Sequence, residues 1–214
     1  MSAREVARLA YAIEREDVGI AGGWQDQYAA AFGGFNLLEF SAGGVAVTPL
    51  SLDEAAASEL RSHLLLCYTG NVRTDLGLID EQIRMYTEGR EETIVGMKQL
   101  HEMAYEMREA IEAVDVASLG RLLREAYESK KRMNPRVAEG TRIERLLEVA
   151  HEAGAAGGKI CGAGGGGYVL LACEPTCQPA VRAALEAHGG QLTDFTFRAH
   201  GVEVVSPDRR WRPT

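Results

Sequence analysis

The stretch KICGAGGGGYVLL is the part of this sequence best equipped for chemistry. Seven of the chain's 24 glycines lie between residues 157 and 173, and Gly162, Gly164 and Gly167 spell G-x-G-x-x-G. Consecutive glycines lose much conformational entropy on folding, so they imply close approach or unusual φ/ψ. Successive free N–H groups in such a turn can hold an anion. A dinucleotide fingerprint would need a strand before the glycines and a helix after them. Here the expected order is reversed, with a helix ending near Ala155 and a strand beginning at Tyr168. No Gly-Lys-Ser/Thr follows, so the Walker form is absent too. Two readings stand: a phosphate-holding loop, or a tight helix-to-strand crossing with no ligand.

Other chemistry is excluded more simply. Cys67, Cys161, Cys173 and Cys177 form no C-x-x-C pair, and the five histidines are scattered, so no zinc spacing exists. The thiols read as reduced, in a cytoplasmic protein. A net charge of −8 over 214 residues argues against the basic face of a nucleic-acid binder. The apolar run Leu64 to Tyr68 is too short to cross a bilayer, and MSAREVARLA lacks the apolar core of a signal peptide. The expectation is no nucleic acid and no membrane.

The elements that must position the glycines alternate between two periods. Ser2-Ala-Arg-Glu5 is a capping-box pattern, opening a helix over 2–16 with Val6, Leu9, Ala10 and Ile13 on its apolar face. An Ala-rich helix over 26–32 stops at Gly33-Gly34, and FNLLEF and GVAVTPL form a hairpin about Ser41-Ala42-Gly43. A short helix near 52–60 precedes HLLLCYTG, a buried strand. From about 75 to 155 the chain is helical. Ile94, Met97, His101, Ala104, Met107, Ile111 and Val114 mark one helix face. Leu119, Leu122, Leu123 and Ala126 line a second helix, over 115–131. A third, capped at Thr141, carries Ile143, Leu146, Leu147 and Ala150. YVLLAC, TDFTFRA and GVEVVS read as strands around a helix over 179–187. The class is α+β with an antiparallel sheet.

Two stretches together resemble signatures of the GHMP kinase superfamily, which includes galacto-, homoserine and mevalonate kinases. KICGAGGGGYVLL is similar to its third signature, and GGWQDQYAAAFGGFNLLEF to the segment bearing its catalytic aspartate. LLLCYTG with Arg73, and DFTFRAHGVEV, extend the resemblance over nearly the whole chain. It implies a remnant of the N-terminal kinase domain over 1–50 and a GHMP-type C-terminal domain over 51–214. It also implies ATP-dependent phosphoryl transfer to a sugar phosphate, a heptose 7-phosphate in the branch most similar, with ATP and Mg²⁺ as cofactors.

Carried onto this sequence, the resemblance makes Asp26 the carboxylate that orients or deprotonates the acceptor hydroxyl. The residue type suits the task, because a carboxylate within hydrogen-bond reach raises a hydroxyl's nucleophilicity. Asp26 could equally be a plain helix cap. Gly162, Ala163, Gly164, Gly165 and Gly166 become the nucleotide and phosphate loop. Gln25, Tyr28, Arg73 and Lys131 become substrate-binding candidates, the last within the basic run Lys130-Lys131-Arg132, which also suits a solvated helix end. Glu14 becomes the magnesium candidate, or a solvated charge.

The family's first signature and its Ser-rich second signature do not occur in the 214 residues. The expectation is therefore a portion of a larger kinase, one half of a split enzyme partnered by an N-terminal-half chain, or a homo-oligomer. A non-catalytic descendant that binds a sugar phosphate or a protein partner is the alternative.

Overall fold

The computed structural model of the chain describes residues 1–70, 77–138 and 142–203. They fall into two units, Met1–Leu50 with Phe197–Thr214, and Ser51–Thr196. Residues 197–203, which the sequence reading grouped with the second region, group with the first.

In the first unit, α1 (Ala3–Tyr11) opens on the expected capping box. The Ser2 hydroxyl accepts from the Glu5 N–H, and the Glu5 carboxylate accepts from the Ser2 N–H at 2.7 Å. The helix continues as a π-helical segment, Ala12–Asp17. The expected apolar face is corrected here: Leu9 and Ile13 are 50% and 47% exposed, and Ala7 is the fully buried residue. It packs with Tyr28 and Ala31 of α2 (Gln25–Phe32). β1 (Asn36–Ser41) and β2 (Gly44–Pro49) form the expected hairpin, pairing Ser41 with Gly44 about Ala42-Gly43.

The tail closes over the end of α2. The Gly34 N–H donates to the Arg198 carbonyl at 2.7 Å, and the Val202 N–H donates to the Ala30 carbonyl at 3.1 Å. A side chain at Gly33, where φ is +65°, would meet the backbone of His200 and Gly201 at 2.3 Å. Backbone groups spent on a helix end are not available to a ladder. The expected strand TDFTFRA is accordingly reduced to β6 (Gln191–Thr193), and no strand runs through 194–203. The rest of GVEVVS lies outside the described residues.

The second unit holds an antiparallel sheet in the order β4-β5-β3-β6. Asp53 caps α3 (Glu54–Ser62), which leads into the buried β3 (Leu64–Tyr68). Helices α4 (Leu78–Thr87), α5 (Glu91–Glu112) and α6 (Val116–Met133) follow, then a 3-10 turn at Pro135–Val137 and α7 (Ile143–Glu152). The chain then forms β4 (Gly157–Ile160), β5 (Tyr168–Ala172) and α8 (Gln178–Ala187). Leu65, Cys67, Ile160, Val169 and Leu171 share a core with Ile143, Leu146, Ala150, Val181 and Leu185. The Thr141 cap lies outside the described residues; the N-cap position of α7 is Arg142, with no side-chain cap bond.

Two further expectations are corrected. The buried side of α5 is Thr93, Gly96, Met103 and Ala110, not the stripe beginning Ile94 and Met97. A Cβ on Gly96 would meet the Ser129 carbonyl oxygen at 2.6 Å, so glycine lets α5 approach the backbone of α6 there. And β4 was read as part of the glycine loop. Gly157 pairs with Ala172 in the β4–β5 ladder, and it is glycine because α6 passes so close that a Cβ there would lie 1.9 Å from the Gly120 carbonyl oxygen. The glycines thus join two strands of a hairpin, and the dinucleotide order still fails for want of a following helix.

Candidate functional site

The β4–β5 connection, residues 161–167, is held as a specific shape. Gly162, Gly164, Gly165, Gly166 and Gly167 have φ of +67°, +110°, +76°, +144° and +90°, a region that side chains rarely enter. Three backbone bonds fix it: Cys161 N–H to the Tyr168 carbonyl, Gly165 N–H to the Val137 carbonyl, and Thr69 N–H to the Gly167 carbonyl. Gly164 lies on Val137, where a Cβ would meet Cγ1 at 2.7 Å. The N–H groups of Gly162, Ala163, Gly164 and Gly166 donate to no described residue. Free donors on a fixed turn are what an anion-holding loop requires.

Positive charge is brought to the same turn. Lys130, near the end of α6, donates through Nζ to the Gly162 carbonyl. Lys159, on β4, is drawn below its ordinary value by burial. Burial pushes the Cys161 thiol up, while the Lys159 and Lys130 ammoniums pull it back. Thr69 is fully buried, and its hydroxyl has no hydrogen-bond partner. Sequence reasoning named Lys130 only within a basic run and missed Lys159 and Thr69. The i, i+2 spacing of Lys159 and Cys161 on a strand was the available signal.

In the first unit, Asp26 sits in the first turn of α2, exposed, and its side chain bonds to no other described residue. The N-cap is Trp24 without a side-chain cap bond, so the cap reading of Asp26 fails. Its neighbour Gln27 is buried, and donates through Nε2 to the Glu14 carboxylate of the π-helical segment. Gln27 Oε1 has no partner. Glu14 also faces Arg15 at 3.7 Å, and Arg15 donates to the Ile20 carbonyl at 3.2 Å, holding the segment that leads into Trp24. Glu14 and the Asp26 helix are thus brought together, and π-helical turns recur at functional sites. Gln25 is exposed, whereas Tyr28 is 2% exposed and stacked on Phe32.

Lys131 lies 3.0 Å from Glu128 and 2.9 Å from Glu144, over the Tyr127 ring. Burial works against its charge, and the two carboxylates outweigh that, holding the ammonium above its ordinary value. Arg132 faces Glu92 and Gln99. Arg73 lies outside the described residues.

Residues 107–191 match the family model described as GHMP kinases C terminal. The chain is 38% identical over 200 residues to a D-glycero-alpha-D-manno-heptose 7-phosphate kinase of Campylobacter jejuni, covering 93% of this chain and 58% of that protein. It is 29% identical to the bifunctional fucokinase/GDP-fucose pyrophosphorylase of Arabidopsis thaliana, over 87% of this chain and 18% of the relative. A solved D-glycero-D-manno-heptose 1-phosphate kinase from Bacteriodes thetaiotaomicron superposes with a TM-score of 0.70 at 32% identity, over 96% of this chain and 57% of the other. The chain therefore spans under two thirds of the relatives it matches. Among the described residues no helix is long and apolar enough to cross a membrane.

Proposed function

We propose that the chain supplies the acceptor-side carboxylate and the third-signature loop of an ATP-dependent sugar kinase whose substrate is a heptose phosphate. The observation that carries this is the pairing, in one sequence 38% identical to a heptose phosphate kinase, of an unbonded exposed Asp26 with a fixed glycine turn. Asp26 holds the acceptor hydroxyl and takes its proton, a role that needs a carboxylate free of cap or ion-pair duties. Gln27 and Arg15 hold the backbone on either side of it. The N–H groups of Gly162, Ala163, Gly164 and Gly166 and the Lys130 ammonium hold phosphate oxygens, offsetting their charge.

The residues fit the cofactors in kind. Glu14 and the unpartnered, buried Gln27 Oε1 are hard oxygen donors of the type Mg²⁺ takes. Among the described residues no group of three His, Cys, Asp or Glu could hold a metal unaided, which suits an ion bound largely through phosphates. When bound, ATP and Mg²⁺ supply the transferable phosphoryl group and neutralise its charge. The second signature is absent from these 214 residues, so a preceding segment or partner chain completes the phosphate cradle.

The test is a substrate panel on a kinase containing this sequence together with a second-signature segment. Heptose 7-phosphate and heptose 1-phosphate are compared directly, because the relatives' names differ on this point. Preference for galactose or a non-sugar acceptor would refute the reading. Asp26→Asn is expected to cost about 10²–10⁴ in turnover with nucleotide affinity nearly unchanged, since an amide cannot take the proton.

A further inference from the structure

A second cleft in the first unit, of about 390 Å³, lies between α1 and the β1–β2 turn. Its lining includes Arg4, Arg8, Trp24, Tyr28, Phe40 and the turn residues 41–44, with no carboxylate among them. Asp26 does not line it, being two residues and so about 200° round α2 from Tyr28.

The two guanidiniums differ in what they already do. Arg4 is anchored, donating through Nη1 to the Val45 carbonyl of β2. The Arg8 guanidinium, one turn further along α1, makes no hydrogen bond or ion pair with another described residue. A pair of arginines four apart repel one another, a mildly unfavourable arrangement on an exposed helix. In a chain of net charge −8, carboxylates are plentiful elsewhere, yet none among the described residues pairs with Arg4 or Arg8. The aromatic wall is rigid. Trp24 stacks on Tyr11 with centroids 3.5 Å apart and 2° between planes, and meets Tyr28 edge-on at 6.0 Å. Phe40 stands 48% exposed at the mouth, next to the turn.

From this juxtaposition we propose that the cleft binds a phosphate monoester carried on a ring. One anchored guanidinium and a second, uncommitted one a turn away match a dianionic phosphate in charge, and each offers it a fork of N–H donors. Exposed Phe40 and the Trp24 edge offer a face to the ring, by stacking for a base or apolar contact for a sugar. The cleft shares Trp24, Tyr28 and Phe40 with the Asp26 segment, but Asp26 itself does not line it, and binding there does not depend on the kinase reading. A nucleotide and a sugar phosphate share the recognised chemistry, and the experiment separates them.

The experiment is isothermal titration of the 214-residue chain with AMP, with a hexose 6-phosphate and with inorganic phosphate. At least one ring phosphate is expected to bind with a Kd of about 1 mM or tighter, and about tenfold more tightly than inorganic phosphate. Arg8→Gln and Phe40→Ser, both at exposed positions, should each weaken it by about tenfold, while Asp26→Asn leaves it unchanged. The tighter of the two ring phosphates identifies the source. Inorganic phosphate binding as well as both, no loss in Arg8→Gln, or loss in Asp26→Asn would each overturn the assignment. In the last case the phosphate belongs to the Asp26 segment.

Discussion

The β1–β2 and β4–β5 hairpins are both antiparallel and both turn on glycine, yet their glycines serve different ends. β1–β2 closes through Ala42-Gly43, and a Cβ on Gly43 would meet nothing closer than the Ser41 Oγ at 3.6 Å. β4–β5 closes through residues 161–167, with five glycines at positive φ, two pressed on Val137 and Leu78, and the Lys130 ammonium on its carbonyl. In the first hairpin Gly43 is at no positive φ, and Gly44, at φ +122°, has nothing within 4 Å of where a Cβ would stand. In the second, glycine is the only residue that fits. Glycine content alone does not mark a site; glycine that neighbouring side chains and a positive φ leave no alternative to does.

The comparison is broken most severely at the base of β4–β5. Gly157→Ala would drive a Cβ into the Gly120 carbonyl, backbone against backbone with no flexible end to yield. The expected loss is about 3 kcal/mol or more, beyond ordinary overpacking. Urea unfolding measures it, and a loss under about 1 kcal/mol would mean that α6 can lift from β4 freely.

Next in size is Gly164→Ala, in the turn itself. At φ +110° and 2.7 Å from Val137 Cγ1, the methyl is both strained and crowded. The expected cost is about 1–3 kcal/mol. Phosphate-ligand affinity of the loop should fall further than stability does. Unchanged affinity alongside lowered stability would show that the turn's shape is structural only.

A smaller effect, legible through pH, belongs to Lys159. Its ammonium is held below the ordinary 10.5 by burial. A base with a lowered folded-state value binds fewer protons folded than unfolded, so stability climbs as pH rises through that window. Lys159→Met removes the titrating group. The variant should be the more stable at neutral pH, with the gap closing as pH approaches 10.5. A gap constant with pH would place the Lys159 ammonium in contact with solvent.

Much of this was readable in advance. Periodicity located α6 with Leu119, Leu122, Leu123 and Ala126 buried, and the capping box at Ser2 and Glu5 formed as read. Three of the failures share one cause. Ala7 on α1, Gly96 on α5 and Gly157 on β4 are the contact points of their elements, chosen for smallness where backbones approach. Counting apolar residues rewards Leu9, Ile13 and Met97 instead, all of which are exposed. The same blindness hid β4, since two glycines look like loop. At the site, Asp26 and the glycines could be found by their motifs. The Glu14–Gln27 tie and the Lys130 contact join residues 13 and 32 positions apart, which no local pattern encodes.

The smallest expected effect tests the other side of the comparison. Gly43 is not among the positive-φ residues, and a Cβ there would make only an ordinary contact. Alanine at such a position restricts the unfolded chain more than the folded one. Gly43→Ala is therefore expected to stabilise the first unit by about 0.4–1 kcal/mol. The sign is opposite to that of Gly164→Ala, for the same chemical change in the same kind of hairpin. Thermal unfolding of the two variants beside the parent chain measures both. If Gly43→Ala destabilised as much as Gly164→Ala, the β1–β2 turn would be as constrained as the glycine loop. The contrast drawn between the hairpins would then not hold.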